Sequence, residues 1–186
     1  MSASPPSIRL LSDPLPHELE QLASVLHDCV NGGASVSFMA PYSLDDAHKF
    51  WERIAMDVRA GQKALLVAED ELGICGTVQL HLDLPPNQPH RADLAKMLVH
   101  RRARRRGLGE ALMRAAEAEA IARGKNLLVL DTVTGSTADR LYTRLGWVRV
   151  GEIPRYALMP DGEPCPTTYF YRDLRDEAQT AVAGRP

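Results

Sequence analysis

The sequence predicts an α+β fold built on one mixed, mostly antiparallel sheet, and three observations carry that prediction. Residues 91–131 read as strand, helix, strand, and a crossover of this kind sets its two strands side by side and parallel. Residues 64–84 hold two β-rich runs joined by Glu69-Asp70-Glu71-Leu72-Gly73, which reads as an antiparallel hairpin. Four segments repeat apolar residues at helical spacing, so about four helices accompany the strands. A length of 186 residues, with 45% hydrophobic and 25% charged residues, suits one domain with a filled core.

The elements follow in order. Residues 1–6 read as a flexible tail and 7–11 as a short first strand; the domain is expected to span 7–175, with a second flexible tail at 176–186. Pro14 and Pro16 break the chain ahead of a helix over 17–31, whose Leu19, Leu22, Val25, Leu26 and Cys29 share a face; Asn31-Gly32-Gly33 ends it. The apolar but aperiodic ASVSFMAPY is a loop suited to lining something. Ser43 or Asp45 caps a second helix running to residue 60, with Ala47, Phe50, Trp51, Ile54 and Val58 inward.

Strands at 64–68 and 74–84, an irregular proline-bearing link at 85–89 and a strand at 91–99 come next. A helix over 107–123 follows, with Leu108, Ala111, Leu112, Ala115, Ala118 and Ala122 expected inward and Glu110, Arg114 and Glu117 outward. Residues 126–131 form an apolar strand of the kind buried on both faces in a parallel pair. A short helix at 136–145 then leads to strands at 147–153 and 167–174, separated by a long loop rich in Pro and Gly.

Bulk properties narrow the function classes. Net charge is −2, so the arginines of HRRARRR are a local feature with no aromatic among them, which argues against nucleic acid as a partner. The first residues lack the order of a secretory signal and no apolar run is long enough to span a bilayer, so a cytoplasmic protein without a membrane partner is expected. Cys29, Cys75 and Cys165 are far apart with no ligand spacing; buried or free thiols are expected, and no metal.

The strongest chemical signal is the turn Arg104-Arg105-Arg106-Gly107-Leu108-Gly109 between an apolar strand and a helix. Backbone N–H groups at a helix start, aligned with its dipole, make an anion site, and phosphate is the usual anion. The spacing is neither that of a dinucleotide-binding glycine motif nor that of a P-loop.

This turn resembles the acetyl-CoA pyrophosphate motif of the GCN5-related N-acetyltransferases (GNAT). Ala138, Tyr142, Gly146 and Trp147 match that family's A-x-x-x-Y-x-x-x-G-aromatic pattern. Two departures stand out: Arg105 where a glycine is common, and Ser136 where many members carry asparagine. The resemblance covers about residues 7–175. It implies a three-layer α/β/α architecture with a twisted sheet and one parallel, splayed strand pair.

The resemblance also implies a reaction, transfer of acetyl from acetyl-CoA to a primary amine of a small molecule by direct attack in a ternary complex. Only the free base of an alkylamine attacks, and its pKa is near that of lysine, about 10, so a carboxylate near the site must take a proton. Asp93 and Asp131 fall on adjacent parallel strands and are the implied bases, although an Asp at a strand end is also a common turn or cap residue. Tyr142 matches the residue that protonates the departing thiolate; a helix's apolar face would also account for it.

Cofactor contacts are implied for Arg104, Arg105, Arg106, Gly107, Leu108, Gly109, Glu110, Ser136 and Tyr142, with an oxyanion met by a backbone N–H near Leu98 or Val99. An antibiotic or toxin as acceptor, and a monomer or homodimer, are expected on the same basis. The competing class is a catalytically silent acyl-CoA-binding or sensing module, which would tolerate the loss of Asp131 and Tyr142.

Overall fold

The computed structural model describes residues 6–175, so most of both expected tails, 1–5 and 176–186, lies outside the described residues. Among the described residues, seven strands form one sheet in the order β1-β2-β3-β4-β5-β7-β6. In chain order these are β1 (Ser7–Leu10), α1 (Pro16–Asn31), α2 (Leu44–Arg59), β2 (Lys63–Asp70), β3 (Gly73–His81), β4 (Arg91–Val99), α3 (Leu108–Ala122), β5 (Leu127–Val133), α4 (Thr137–Arg144), β6 (Val148–Leu158) and β7 (Pro164–Asp173), with a 3-10 turn at Arg101–Ala103. Every neighbouring pair is antiparallel except β4 and β5.

Alternation along the strands makes three layers, because successive side chains leave opposite faces of a strand. Ala64, Leu66, Ala68, Leu80, Ala92, Leu94, Leu128, Leu130 and Phe170 pack on α3 and α4. Leu65, Val67, Ile74 and Leu98 pack on α1 and α2. Ser43 caps α2 by accepting from the Asp46 N–H at 3.0 Å, as the sequence suggests. The cysteines are buried and unpaired. Among the described residues, no helix is long and apolar enough to cross a membrane.

Three expectations need correction. The inward face of α3 is Leu108, Leu112, Met113, Ala116, Glu117 and Ala120; Ala111, Ala118 and Ala122 are exposed. An alanine-rich helix carries little contrast to set its phase, and Glu117 goes inward because the Trp147 indole N–H donates to it at 2.9 Å and Arg114 pairs with it at 3.0 Å. The long loop after residue 153 is strand: β6 continues through Pro154 to Leu158. A bulge between Ile153 and Ala157 lets this edge strand carry a proline, with Arg155 at φ +53°. Finally, β3 ends at His81 rather than 84.

The β4–β5 ladder is short. It pairs only Arg91, Ala92 and Asp93 with Leu127, Leu128 and Val129, and beyond Asp93 the β5-facing edge of β4 has no strand partner among the described residues. On its other edge β4 skips register, Thr77 facing Leu98 and Gln79 facing Ala95, so Lys96 and Met97 form a bulge in which Lys96 takes φ +51°.

Candidate active site

The turn ahead of α3 has the backbone an anion cradle needs. Arg105 takes φ +62° and Gly107, the N-cap of α3, takes φ +76°. Left-handed residues next to a helix start aim successive N–H groups into one concavity, and the first-turn N–H groups of α3 have no intrahelical acceptor. Arg105 thus adopts the conformation that favours glycine, at a cost of about 1–2 kcal/mol. The two glycines serve different ends. A Cβ on Gly107 would meet nothing within 4 Å, so its backbone angle is what matters; a Cβ on Gly109 would come within 3.0 Å of Leu141 on α4. Leu108 is buried beneath the turn, while Glu110 is exposed in the first turn of α3.

Much of the arginine run is tied to protein. Arg101 pairs with the buried Asp28, and Arg102 donates to Asp70 at 2.6 Å and holds its carboxyl below the usual range. Arg106 sits 3.6 Å from the same Asp70, and Arg104 donates to the Val99 carbonyl at 3.0 Å. The Ser136 hydroxyl caps α4, accepting from the Asp139 N–H at 3.1 Å.

Asp93 and Asp131 share a sheet face. Asp93 stands opposite Val129 in the parallel ladder, and Asp131 follows Val129 by two residues. Asp131 lies within β5, which runs on to Val133, and the α4 cap is Ser136, so the turn or cap reading of Asp131 does not hold. Helices α1 and α2 cover this face over β2 to β4, while on β5 Asp131 is exposed.

Burial pushes the Asp93 carboxyl above the usual range, Arg91 opposes that, and the Asp131 charge adds to it. Asp93 Oδ1 is buried without a hydrogen-bond partner and Oδ2 accepts from Arg91 at 3.3 Å. Asp131 Oδ2 accepts from the Thr167 hydroxyl at 3.3 Å.

Tyr142 is buried in α4 against Trp147 and Phe170, with ring centroids 6.1 and 6.0 Å away. Burial, seconded by the Asp131 charge, raises its phenol well above its ordinary value, so it keeps its proton at neutral pH. Leu98 and Val99 sit at the end of the unpaired edge of β4, with Leu98 buried and Val99 half-buried. The two aspartates thus lie on one face at the end of the short β4–β5 ladder, where the edge of β4 becomes unpaired, while Tyr142 lies in the layer of α3 and α4 on the other face.

Residues that the sequence reading did not single out share this face. Tyr169 pairs with Asp131 across β5 and β7, and its hydroxyl lies 2.7 Å from that of Tyr156, a bond that first among causes pushes Tyr169 up to about 12. Lys96 leaves the bulge to donate to Ser37 at 3.3 Å, over the Phe38 and Phe50 rings. Burial lowers its ammonium, partly offset by Asp131. A charge inside the apolar strand ADLAKMLV was the one available signal for Lys96; the tyrosines needed the register.

The fold is that of acyltransferases. It matches N-acetyltransferase from Staphylococcus aureus Mu50 (TM-score 0.74, 17% identity, 90% of this chain and 99% of that one). It matches ribosomal-protein-alanine N-acetyltransferase from Brucella melitensis (TM-score 0.74, 22% identity, 90% and 99%). It also matches yncA from Salmonella typhimurium, solved with its cofactor acetyl-CoA (TM-score 0.72, 19% identity, 92% and 95%). At these identities the likeness shows the fold. The model of the Acetyltransferase (GNAT) family matches residues 33–147, and the chain belongs to that family. It is accordingly an N-acetyltransferase.

Proposed function

We propose that residues 7–175 form one catalytic domain that acetylates the primary amine of a small molecule, with Asp93 and Asp131 receiving the amine. The observation that carries this reading is the pair of carboxylates on one face of the parallel strands, beside the unpaired edge of β4. The cradle formed by Arg105, Gly107 and the first turn of α3 fits a pyrophosphate, so this turn would hold acetyl-CoA. When bound, acetyl-CoA supplies an acetyl thioester.

The protein's own groups then divide the work. Asp131, exposed and fixed by Thr167, attracts the incoming ammonium. Asp93, with a raised pKa and an unpartnered Oδ1, takes the proton the amine must lose. Tyr142 keeps its proton at neutral pH and donates it to the leaving sulfur. A backbone N–H at Leu98 or Val99 is the candidate donor to the developing oxyanion.

The stretches GGASVSFMA, HRADLAKMLV and VGEIPRY followed by PDG resemble the tabtoxin resistance protein, and we extend the reading to an amino-acid-like toxin or antibiotic amine met in the cytoplasm. Mass spectrometry of a panel of small amines and one peptide, with acetyl-CoA and with or without the protein, tests it. One acetyl added to a small amine is the expected result; acetylation of the peptide alone would reassign the acceptor. Acetyl-CoA binding with no product from any acceptor would favour the silent binding module.

A further inference from the structure

We infer that Lys96 anchors an anionic group of the acceptor, most simply a carboxylate, so that the preferred substrates are amines that also carry a carboxylate. This rests on the reading that Asp93 and Asp131 receive the amine.

An ammonium has three donors, and a cation withdrawn from water needs them met. Lys96 is half-buried, spends one donor on Ser37 at 3.3 Å, and stands 5.5 and 5.9 Å from the Phe38 and Phe50 ring centroids. The other cations of this face are committed: Arg91 to Asp93 at 3.3 Å and Lys63 to Asp57 at 2.8 Å. Among the described residues Lys96 makes no ion pair, although Asp131 is within electrostatic reach.

The backbone is bent to present it. Lys96 at φ +51° and Ser37 at φ +77° are both left-handed without being glycine, and they are the two ends of one hydrogen bond. Strain of this kind gathers where a side chain must be aimed. A cleft that offers two carboxylates and, beside them, one unpaired ammonium complements a zwitterion. It would repel a second positive charge on the acceptor.

The test is steady-state acetylation by the full chain with acetyl-CoA, using alanine, 4-aminobutyrate and lysine against their carboxamides, with rates referred to the free amine. The parent enzyme should prefer the carboxylate in at least one pair, by roughly tenfold or more in kcat/KM. Lys96→Met should bring that ratio near unity through KM, while Lys96→Arg retains part of it; calorimetry should show acetyl-CoA affinity unchanged in both. Equal or better turnover of every carboxamide, survival of the preference in folded Lys96→Met, or acetyl-CoA-bound enzyme that turns over no carboxylate-bearing amine would each overturn the inference. A parent protein that binds no acetyl-CoA would instead strike the cofactor reading beneath it.

Discussion

Asp93 and Asp131 are two residues of one type with separate environments, and their substitutions should separate in kind. Asp93 works as a base only when ionised, so kcat/KM should fall with acid through a pKa above that of free aspartate, about 3.9. Asp93→Asn should lower kcat/KM by about 10²–10³-fold and remove that limb. Asp131→Asn takes away a negative charge that raises the Asp93 pKa, so the limb should move to lower pH while KM for the amine rises. Identical profiles for parent and Asp131→Asn would show that the two carboxylates do not act together. Tyr142→Phe removes the proton donor but keeps the ring packed on Trp147 and Phe170, so kcat should drop roughly ten- to a hundredfold with little change in melting temperature. Full turnover in this variant would return Tyr142 to the core alone.

At the scale of elements, the turn and the bulge show which structure a sequence discloses. Strand, glycine turn and helix are written in local periodicity and in Gly107, and the βαβ hand fixes the parallel pair, so the cradle and the shared face of Asp93 and Asp131 were legible. Gly107→Glu should weaken acetyl-CoA binding by about 100-fold or more in calorimetry with the fold intact, since it sets a negative charge at a helix start and a side chain at φ +76°. Other parts depended on pairing between distant strands. Tyr169 reaches Asp131 only through the β5–β7 register, and the one-residue phase of α3 turned on whether Trp147 would meet Glu117. Lys96 combined both difficulties, because its direction is set by a bulge that no local pattern announces.

Over the whole molecule, His81 ties stability to pH. It stands opposite Asp93 across β3 and β4, and burial, with Lys63 and Lys96 adding like charge, pushes its imidazole from 6.5 down to about 4. Between those values the unfolded chain binds the proton and the native one does not, so stability should fall as pH is lowered through that window. Allowing for partial exposure, the loss is ~1–3 kcal/mol, and His81→Gln should flatten the dependence of melting temperature on pH from 6.5 to 4. The aspartates that hold the arginine run have a consequence of another sort. With Arg101, Arg102 and Arg106 answered by Asp28 and Asp70, only Arg104 and Arg105 of the run are without a carboxylate partner among the described residues, and a larger share of the grip falls to fixed backbone dipoles. Dipoles at contact distance are scarcely dimmed by an ionic atmosphere whose screening length is about 10 Å at 0.1 M. Acetyl-CoA affinity should therefore decline only a few-fold between 0.05 and 0.5 M salt, with three of the five arginines serving as a brace for the loop more than a lure for the ligand.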